Sequence, residues 1–526
     1  VRHRPLTCLV AALVLVAVGC VGTGGAGAGA PGAEDPSGAP STTATALPPV
    51  AGPSDEPSVP PEPPSEPTPT PTPAPTPLPP LDLGDLPQDL TAALREVPQG
   101  ATVGVAVLAA DGREVLDVEG DLPMLPASTA KVLTAAAALD VLGPATRLAT
   151  WLRVVGERDA DGVLRGHLLL EGDGDPTLTT LDYHTHVYAS RPSTPVEDLA
   201  AQIAAAGVTR VTGGVVAAPD PLGDDRLAPG WKDAYLTALD ARRISGLSVD
   251  AGLTVTLTSP PPELALELVA DPDPTARLVG AVEAALRAAG VVVGAEPVVG
   301  DGAGDGSGDV LAIVRSPVVA DQVRFALERS DNHLADTLVR VVGRELGDPG
   351  FVASGRAVRG VLLGRGVAVA GLRLVDGSGL SRDDRVTART LAAVDRVTRA
   401  GELGSTWRDV GAEAGADGTL RRRLRGTVAD GRFVGKTGTL SDVVGIVGTV
   451  EGPDGAPAFH VAVLHNGLRG ASQRALARAV EDDVIRLLAE HAAGCERVPA
   501  PAPTTSPEPG GQPTPPPPVV VCPEVP

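Results

Sequence analysis

The sequence predicts a mixed α/β protein of the α+β kind, built on an antiparallel sheet flanked by helices. Three observations predict it. Early in the chain, Thr102–Leu108 and Glu114–Val118 are strand-length apolar runs separated by Asp111-Gly112, a hairpin signal. Late in the chain, Phe433–Thr439, Val443–Val450 and Ala458–Leu464 read as three more antiparallel strands, the last two joined by a turn at Gly452–Gly455. Beside them lie an alanine-rich apolar helix over Ser128–Leu142, behind Pro126, and a long amphipathic helix over Ala471–Ala493. A hairpin from one end and three strands from the other can complete one sheet. The residues between them are then an insertion plus a helical cluster, and Leu90–Val97 forms a short helix ahead of the first strand.

The 526 residues suffice for two or three domains with a large aliphatic core. A formal charge of −22 argues against nucleic acid or an anionic membrane surface as partner. Residues 1–20 read as an export signal: Arg2, His3 and Arg4 precede an apolar run, Leu6–Val18, that is short for a membrane span. Ala17-Val18-Gly19-Cys20 resembles the lipobox of bacterial lipoproteins, which implies an acylated Cys20 holding the protein to the outer face of the membrane. An uncleaved signal anchor, or cleavage between Ala26 and Ala30, are the open alternatives. All three put the rest of the chain outside the cytoplasm. Residues 21–85 are a Gly-, Ala-, Thr- and Pro-rich linker; residues 47–80, extended as polyproline II, would reach roughly 100 Å, enough to lift a domain into a cell wall. A tail of similar composition fills 495–526. With Cys8 in the signal and Cys20 at the lipid site, Cys495 and Cys522 remain as a candidate disulfide closing that tail.

Lysine use carries the chemistry. The chain has 43 Lys and Arg residues, of which three are lysines, and two of those lie in short motifs. A buried lysine can become a neutral base, which an arginine cannot. Ser128-Thr-Ala-Lys131 puts hydroxyl and amine one helical turn apart, on one face, beside the free N–H groups of a helix start. Alone, this is as well explained by a helix cap with a surface lysine, but the apolar residues that follow bury the helix, and a buried unpaired lysine demands a reason. Ser330-Asp331-Asn332 falls in a turn between helices Val319–Leu327 and Leu334–Val342, where such residues are common as caps. Lys436-Thr437-Gly438-Thr439 lies on a strand, where Gly438 lets a ligand approach the backbone.

All three motifs, in this order, mark the penicillin-recognising enzymes. The chain resembles that superfamily, specifically the D-alanyl-D-alanine carboxypeptidase/endopeptidase family of low-molecular-mass class C penicillin-binding proteins. Gly174-Asp-Pro-Thr-Leu178, Pro229-Gly-Trp231, Asp376-Gly-Ser-Gly-Leu-Ser-Arg382 and Gly418-Thr-Leu420 also resemble it, and the likeness spans roughly residues 88–492. It implies a β-lactamase-like transpeptidase fold with a helical subdomain, a discontinuous catalytic domain (86–154 and 313–494) and an inserted α/β domain (155–312). The Ser128–Ser330 interval is short for the further domain that the family nests within the insertion, so none is expected. The implied roles are Ser128 as nucleophile, Lys131 as base kept neutral by burial and by Lys436, and Ser330 as proton relay. Asn332 would hold the substrate amide, and Lys436, Thr437, Gly438 and Thr439 would bind the terminal carboxylate. Backbone N–H groups of Ser128 and Thr439 would form the oxyanion hole. The implied partners are a peptidoglycan stem peptide ending in D-Ala-D-Ala and, as covalent inhibitors, β-lactams. No cofactor or metal is implied.

His184-Thr-His186 lacks a third metal ligand in a recognisable spacing and reads as a surface loop. Asp173 and Asp175 read as a glycine-loop turn, and Asp301–Asp309 as a flexible Gly/Asp loop. A class A β-lactamase shares the three motifs but lacks a large insertion after the first, and needs a glutamate–asparagine element to activate the deacylating water. No asparagine lies between Asn332 and Asn466. A non-catalytic penicillin sensor or wall-binding lipoprotein is the rival of another class; it has no need of a nucleophile–base pair.

Overall fold

The computed structural model describes residues 81–259, 265–294, 308–498 and 519–523. The export signal, Cys20, the linker up to residue 80, most of the Asp301–Asp309 run and the tail from 499 to 518 lie outside the described residues.

Helix α1 (Leu86–Ala93) leads into the hairpin β1 (Thr102–Ala109) and β2 (Glu114–Val118). A 3-10 turn, Ala127–Ala130, then runs into α2 (Lys131–Val141). The inserted region carries β3 (Ala149–Arg158), β4 (Val163–Gly172), α3 (Glu197–Ala205), α4 (Pro274–Ala288) and β5 (Val310–Arg315). The chain returns through α5 (Val319–Arg329), α6 (Asn332–Glu345) and α7 (Ala388–Ala400) to β6 (Phe433–Thr439), β7 (Val443–Glu451) and β8 (Pro457–Asn466), and closes with α8 (Gly470–Ala492).

The main sheet has the order Ala412–Glu413, β6, β7, β8, β1, β2, so the N-terminal hairpin joins the C-terminal strands through β1 and β8. Every residue of β7 is buried, which explains its mostly apolar sequence, interrupted by Thr449 and Glu451 near its end: as a central strand it has a covered face on each side. On one face Val484, Ile485 and Leu488 of α8 pack on Val105, Val107, Ile446 and Val463. On the other, α2 joins α5, α6 and α7 around Val447, Ala462 and Leu464. Nine of the eleven residues of α2 are buried, and its alanines let neighbouring helices come close.

A second, mixed sheet belongs to the insertion: β4, β3 and β5 are antiparallel neighbours, and Arg210–Val211 and Val215–Ala217 add to β4 in parallel. Leu199 and Ile203 of α3 and Leu278, Val282 and Leu286 of α4 cover it. The expected boundaries at 154/155 and 312/313 cut through β3 and β5. The sheet begins at Ala149 and ends at Arg315, since β3 and β5 run continuously across the expected boundaries. Between Ala217 and Leu253 the described residues form turns, the short helix Asp233–Thr237 and a 3-10 turn, Asp250–Gly252, followed by a hairpin of Leu253–Ser259 with Ala265–Ala270. Beyond α8, Cys495 and Cys522 form a disulfide, with sulfurs 2.02 Å apart, and beside it Glu496–Val498 pairs with Val519–Val521.

Candidate active site

The nucleophile's helix starts later than the sequence indicates. Ser128 sits in the 3-10 turn rather than in the first α-turn, because Ala127 takes a left-handed φ of 48° that breaks the α-helical path. The consequence for the pair is small: Lys131 opens α2, and its Nζ lies 3.0 Å from Ser128 Oγ. The amine also lies 2.7 Å from Asn332 Oδ1 and 2.8 Å from the carbonyl oxygen of Ser378. The first two motifs therefore meet at one nitrogen.

The orientation of Asn332 is fixed by its other end, since its Nδ2 donates to the Asp240 carbonyl of the insertion at 2.8 Å. Asn332 is the first residue of α6, capped by Asp331, whose Oδ1 accepts from Leu334 N at 2.9 Å. Asp331 pairs at 3.2 Å with Arg191 of the insertion, and both side chains are buried. Burial alone would raise the Asp331 carboxyl, but Arg191, Arg242 and the Leu334 N–H outweigh it and hold the group well below the usual carboxylate range. Ser330 closes α5 with a left-handed φ of 58°, and its hydroxyl makes no hydrogen bond among the described residues. The structure thus puts Ser330 two residues from Asn332 without joining it to the Ser128–Lys131 pair.

Gly438 shows how tightly the third motif closes on the first. A Cβ at Gly438 would stand 2.8 Å from the Pro126 carbonyl oxygen and 3.1 Å from the Ser128 nitrogen. Strand β6 therefore runs against the nucleophile turn, and Thr439, exposed at its end, follows directly. Lys436 is buried, its Nζ donating to the Thr437 carbonyl at 2.6 Å, and Thr437 Oγ1 donates to Thr419 Oγ1 at 2.8 Å.

Burial pushes the Lys131 amine down from the ordinary lysine range to about 8, against the opposing pull of Asp336, Asp376, Asp331 and Asp384. Of the two influences expected to keep Lys131 neutral, burial and Lys436, burial is the larger, and it acts on Lys436 too, which is pushed well below its usual value by burial and then by Lys131. A carboxylate arriving beside Lys436 would favour its charged form again.

Sequence reasoning missed several contributors. The Ser378 carbonyl is a backbone atom with no side-chain signature, within the Asp376–Arg382 stretch that resembles the family. Trp231 Nε1 donates to Asp376 Oδ2 at 2.7 Å, and Ser381 Oγ donates to the Pro229 carbonyl at 2.6 Å, so two of the noted stretches lock together. Arg382 ties this loop to the turn after Thr439 through two bonds to Asp442, at 2.9 and 2.7 Å. His184 and His186 lie on the short helix Leu181–His186, and no group of three metal-binding side chains occurs among the described residues. Asp175 accepts from Thr177 N and Oγ1 at 2.8 and 2.6 Å, a turn contact.

A sequence profile of the D-Ala-D-Ala carboxypeptidase 3 (S13) family, a family of serine peptidases, matches residues 86–277 and 263–490. The chain belongs to this family. It is 31% identical over 484 residues to a D-alanyl-D-alanine carboxypeptidase of an Actinomadura species, covering 78% of this chain and 85% of the relative. Carboxypeptidase DacB of Mycolicibacterium smegmatis is 32% identical over 387 residues, covering 72% of this chain and 79% of the relative. In three dimensions, penicillin binding protein 4 of Haemophilus influenzae superposes with a TM-score of 0.62 at 22% identity, over 76% of this chain and 98% of that one. That likeness bears on the fold, and the penicillin-recognising fold expected from the motifs is the one observed. No helix among the described residues is long and apolar enough to cross a membrane.

Proposed function

We propose that this serine peptidase removes the terminal D-alanine from peptidoglycan peptides through an acyl-Ser128 intermediate, with cleavage of D-alanyl cross-links as a second use of the same site. One observation carries the assignment of roles: the three contacts of Lys131 Nζ. A neutral amine has two N–H bonds and one lone pair. Asn332 Oδ1, whose amide nitrogen is engaged elsewhere, and the Ser378 carbonyl oxygen accept but do not donate, so they take both N–H bonds. The lone pair is left for the Ser128 hydroxyl.

Lys131 then withdraws the Ser128 proton as Oγ attacks the carbonyl of the penultimate D-alanine. Negative charge grows on that carbonyl oxygen, facing the backbone N–H groups of Ser128 and Thr439, a pairing supported by the close approach of Gly438 to the nucleophile turn. Ser330, whose hydroxyl has to turn towards Lys131 for this step, relays the proton from Lys131 to the leaving nitrogen, the C–N bond breaks and D-alanine departs. Asn332 orients the substrate amide, for which its Nδ2 has to leave the Asp240 carbonyl. Lys436, Thr437 and Thr439 hold the terminal carboxylate, Gly438 giving it room. Water, activated by the same lysine, releases the shortened peptide. Side chains and backbone N–H groups of this chain supply every step.

The substrate places the enzyme at the cell wall, outside the cytoplasm. Attachment through an acylated Cys20 rests on Ala17-Val18-Gly19-Cys20 after the apolar run; mass spectrometry of the mature N-terminus reads it directly, and an unacylated terminus beyond Ala30 would replace anchoring with release.

The purified protein is expected to release D-alanine from a soluble peptide ending in D-Ala-D-Ala, and to be inhibited by benzylpenicillin for far longer than one peptide turnover. In the penicilloyl-enzyme the leaving amine stays tethered in the acyl group and obstructs the approach of water. Rapid, repeated hydrolysis of benzylpenicillin without D-alanine release would favour the β-lactamase alternative. Absence of both acylation and D-alanine release would favour the non-catalytic sensor or wall-binding alternative.

A further inference from the structure

The Ser378 carbonyl completes the surroundings of Lys131, so whatever fixes that carbonyl bears on the base. Asp336 follows Asn332 by four residues on α6, which sets both side chains on one face. Asn332 reaches the lysine directly. Asp336, 1% exposed, lies behind, and its Oδ1 accepts the N–H of Gly377 at 2.9 Å. The Gly377 carbonyl in turn accepts from Thr134 Oγ1 at 2.8 Å, from the helix that bears Lys131. Gly377 has no space for a side chain, since a Cβ would stand 2.2 Å from the Ala335 carbonyl oxygen. On the far side, Asp376 Oδ1 accepts from Ser378 N and Gly379 N at 3.1 and 2.6 Å, and its Oδ2 from Ser381 N at 2.7 Å. The loop is thus clamped from α6, from α2 and from within.

We propose that Asp336 is a positioning residue for the catalytic base. By holding the Gly377 N–H it fixes the Ser378 carbonyl as the second acceptor of the Lys131 amine, and so aims the lysine lone pair at Ser128. Asp336 touches neither the substrate nor the reacting atoms. This inference rests on the acyl-transfer reading and adds to it the device that orients its base. Burial, then the neighbouring Asp376, push the Asp336 carboxyl well above the usual carboxylate range, against the pull of Lys131. Asparagine keeps the Oδ1 acceptor for the Gly377 N–H at nearly the same size and without the charge that burial disfavours, so it is the close mimic here.

The test compares full-length wild type, Asp336→Ala and Asp336→Asn in stopped-flow acylation by a fluorescent penicillin, with the rate constant and the half-saturating concentration measured separately. Asp336→Ala is expected to lower the acylation rate constant about a hundredfold, the scale of a misplaced catalytic group. Its half-saturating concentration should stay within about twofold of wild type, because the carboxylate-binding residues are untouched. Asp336→Asn should restore the rate constant to within about fivefold, with thermal unfolding recorded for every variant. An alanine variant as fast as wild type, or an asparagine variant as slow as alanine, overturns the proposal. If Asp336→Ala does not fold, Thr134→Val removes the bond that holds the other side of Gly377, at its carbonyl, and should lower the rate constant without changing half-saturation; an unchanged rate overturns it equally. Failure here is distinct from failure of the acyl-transfer reading, in which wild type itself would not be acylated at Ser128.

Discussion

Replacement of Lys131 by alanine or by arginine is expected to lower acylation by a thousandfold or more, within the range of about 10²–10⁴ for a positioned general base. Two properties of the site make arginine no better than alanine. It does not deprotonate in a protein, and its fork of donors offers no lone pair to the Ser128 hydroxyl. The wild-type pH profile checks the same point. The reactive form of Lys131 is the unprotonated one, so with an amine lowered to about 8 the acylation rate should fall about tenfold per unit as pH drops below that value and level off above it. The direction follows from burial, which disfavours the ammonium form in the folded protein. Either variant retaining most of the rate, measured on protein with wild-type thermal unfolding, would show that another group takes the proton.

Gly438→Ala is the second large effect expected, and it needs no change in any ionisable group. The added methyl would meet the Pro126 carbonyl oxygen at 2.8 Å and the Thr129 and Ser128 nitrogens at 3.0 and 3.1 Å, all of them backbone atoms of the nucleophile turn. Strand or turn has to shift, and either shift separates the N–H groups of Ser128 and Thr439. Loss of one oxyanion donor costs about 10²–10³ in rate. Acylation by penicillin and D-alanine release should fall together, because both pass through an oxyanion at the same place. A variant that lost one activity and kept the other would separate the two sites and contradict the shared oxyanion hole.

The strands and the site differ in how far the sequence revealed them, for physical reasons. Strands β7 and β8 are legible as short, mostly apolar runs, β7 because both its faces are covered. The pairing of Lys131 with Ser128 is legible because one turn of helix fixes the relation of two side chains three residues apart. Contacts between distant segments are not. Arg191 and Asp331 are 140 residues apart, and nothing in either neighbourhood announces the ion pair. The carbonyl of Ser378 has no residue-type signature, and Asp336 reads from sequence as one more polar residue on an amphipathic helix. The expected limits of the insertion fall a few residues inside β3 and β5, although Gly143-Pro144 and Ser316-Pro317, just outside those strands, are turn signals at the change of sheet. The start of α2 was placed three residues early because serine, threonine and alanine give no sign that Ala127 takes a left-handed conformation.

The central claim is that one serine, Ser128, carries the acyl group in the reaction with peptide and in the reaction with drug. It is tested most directly by incubating the protein with benzylpenicillin, digesting it and locating the added mass by tandem mass spectrometry. The expected result is a single penicilloyl group on the peptide containing Ser128, absent from Ser128→Ala, which should also release no D-alanine while unfolding at the wild-type temperature. An adduct on Ser378, Ser330 or any other residue, or a Ser128→Ala protein that still became acylated, would contradict it.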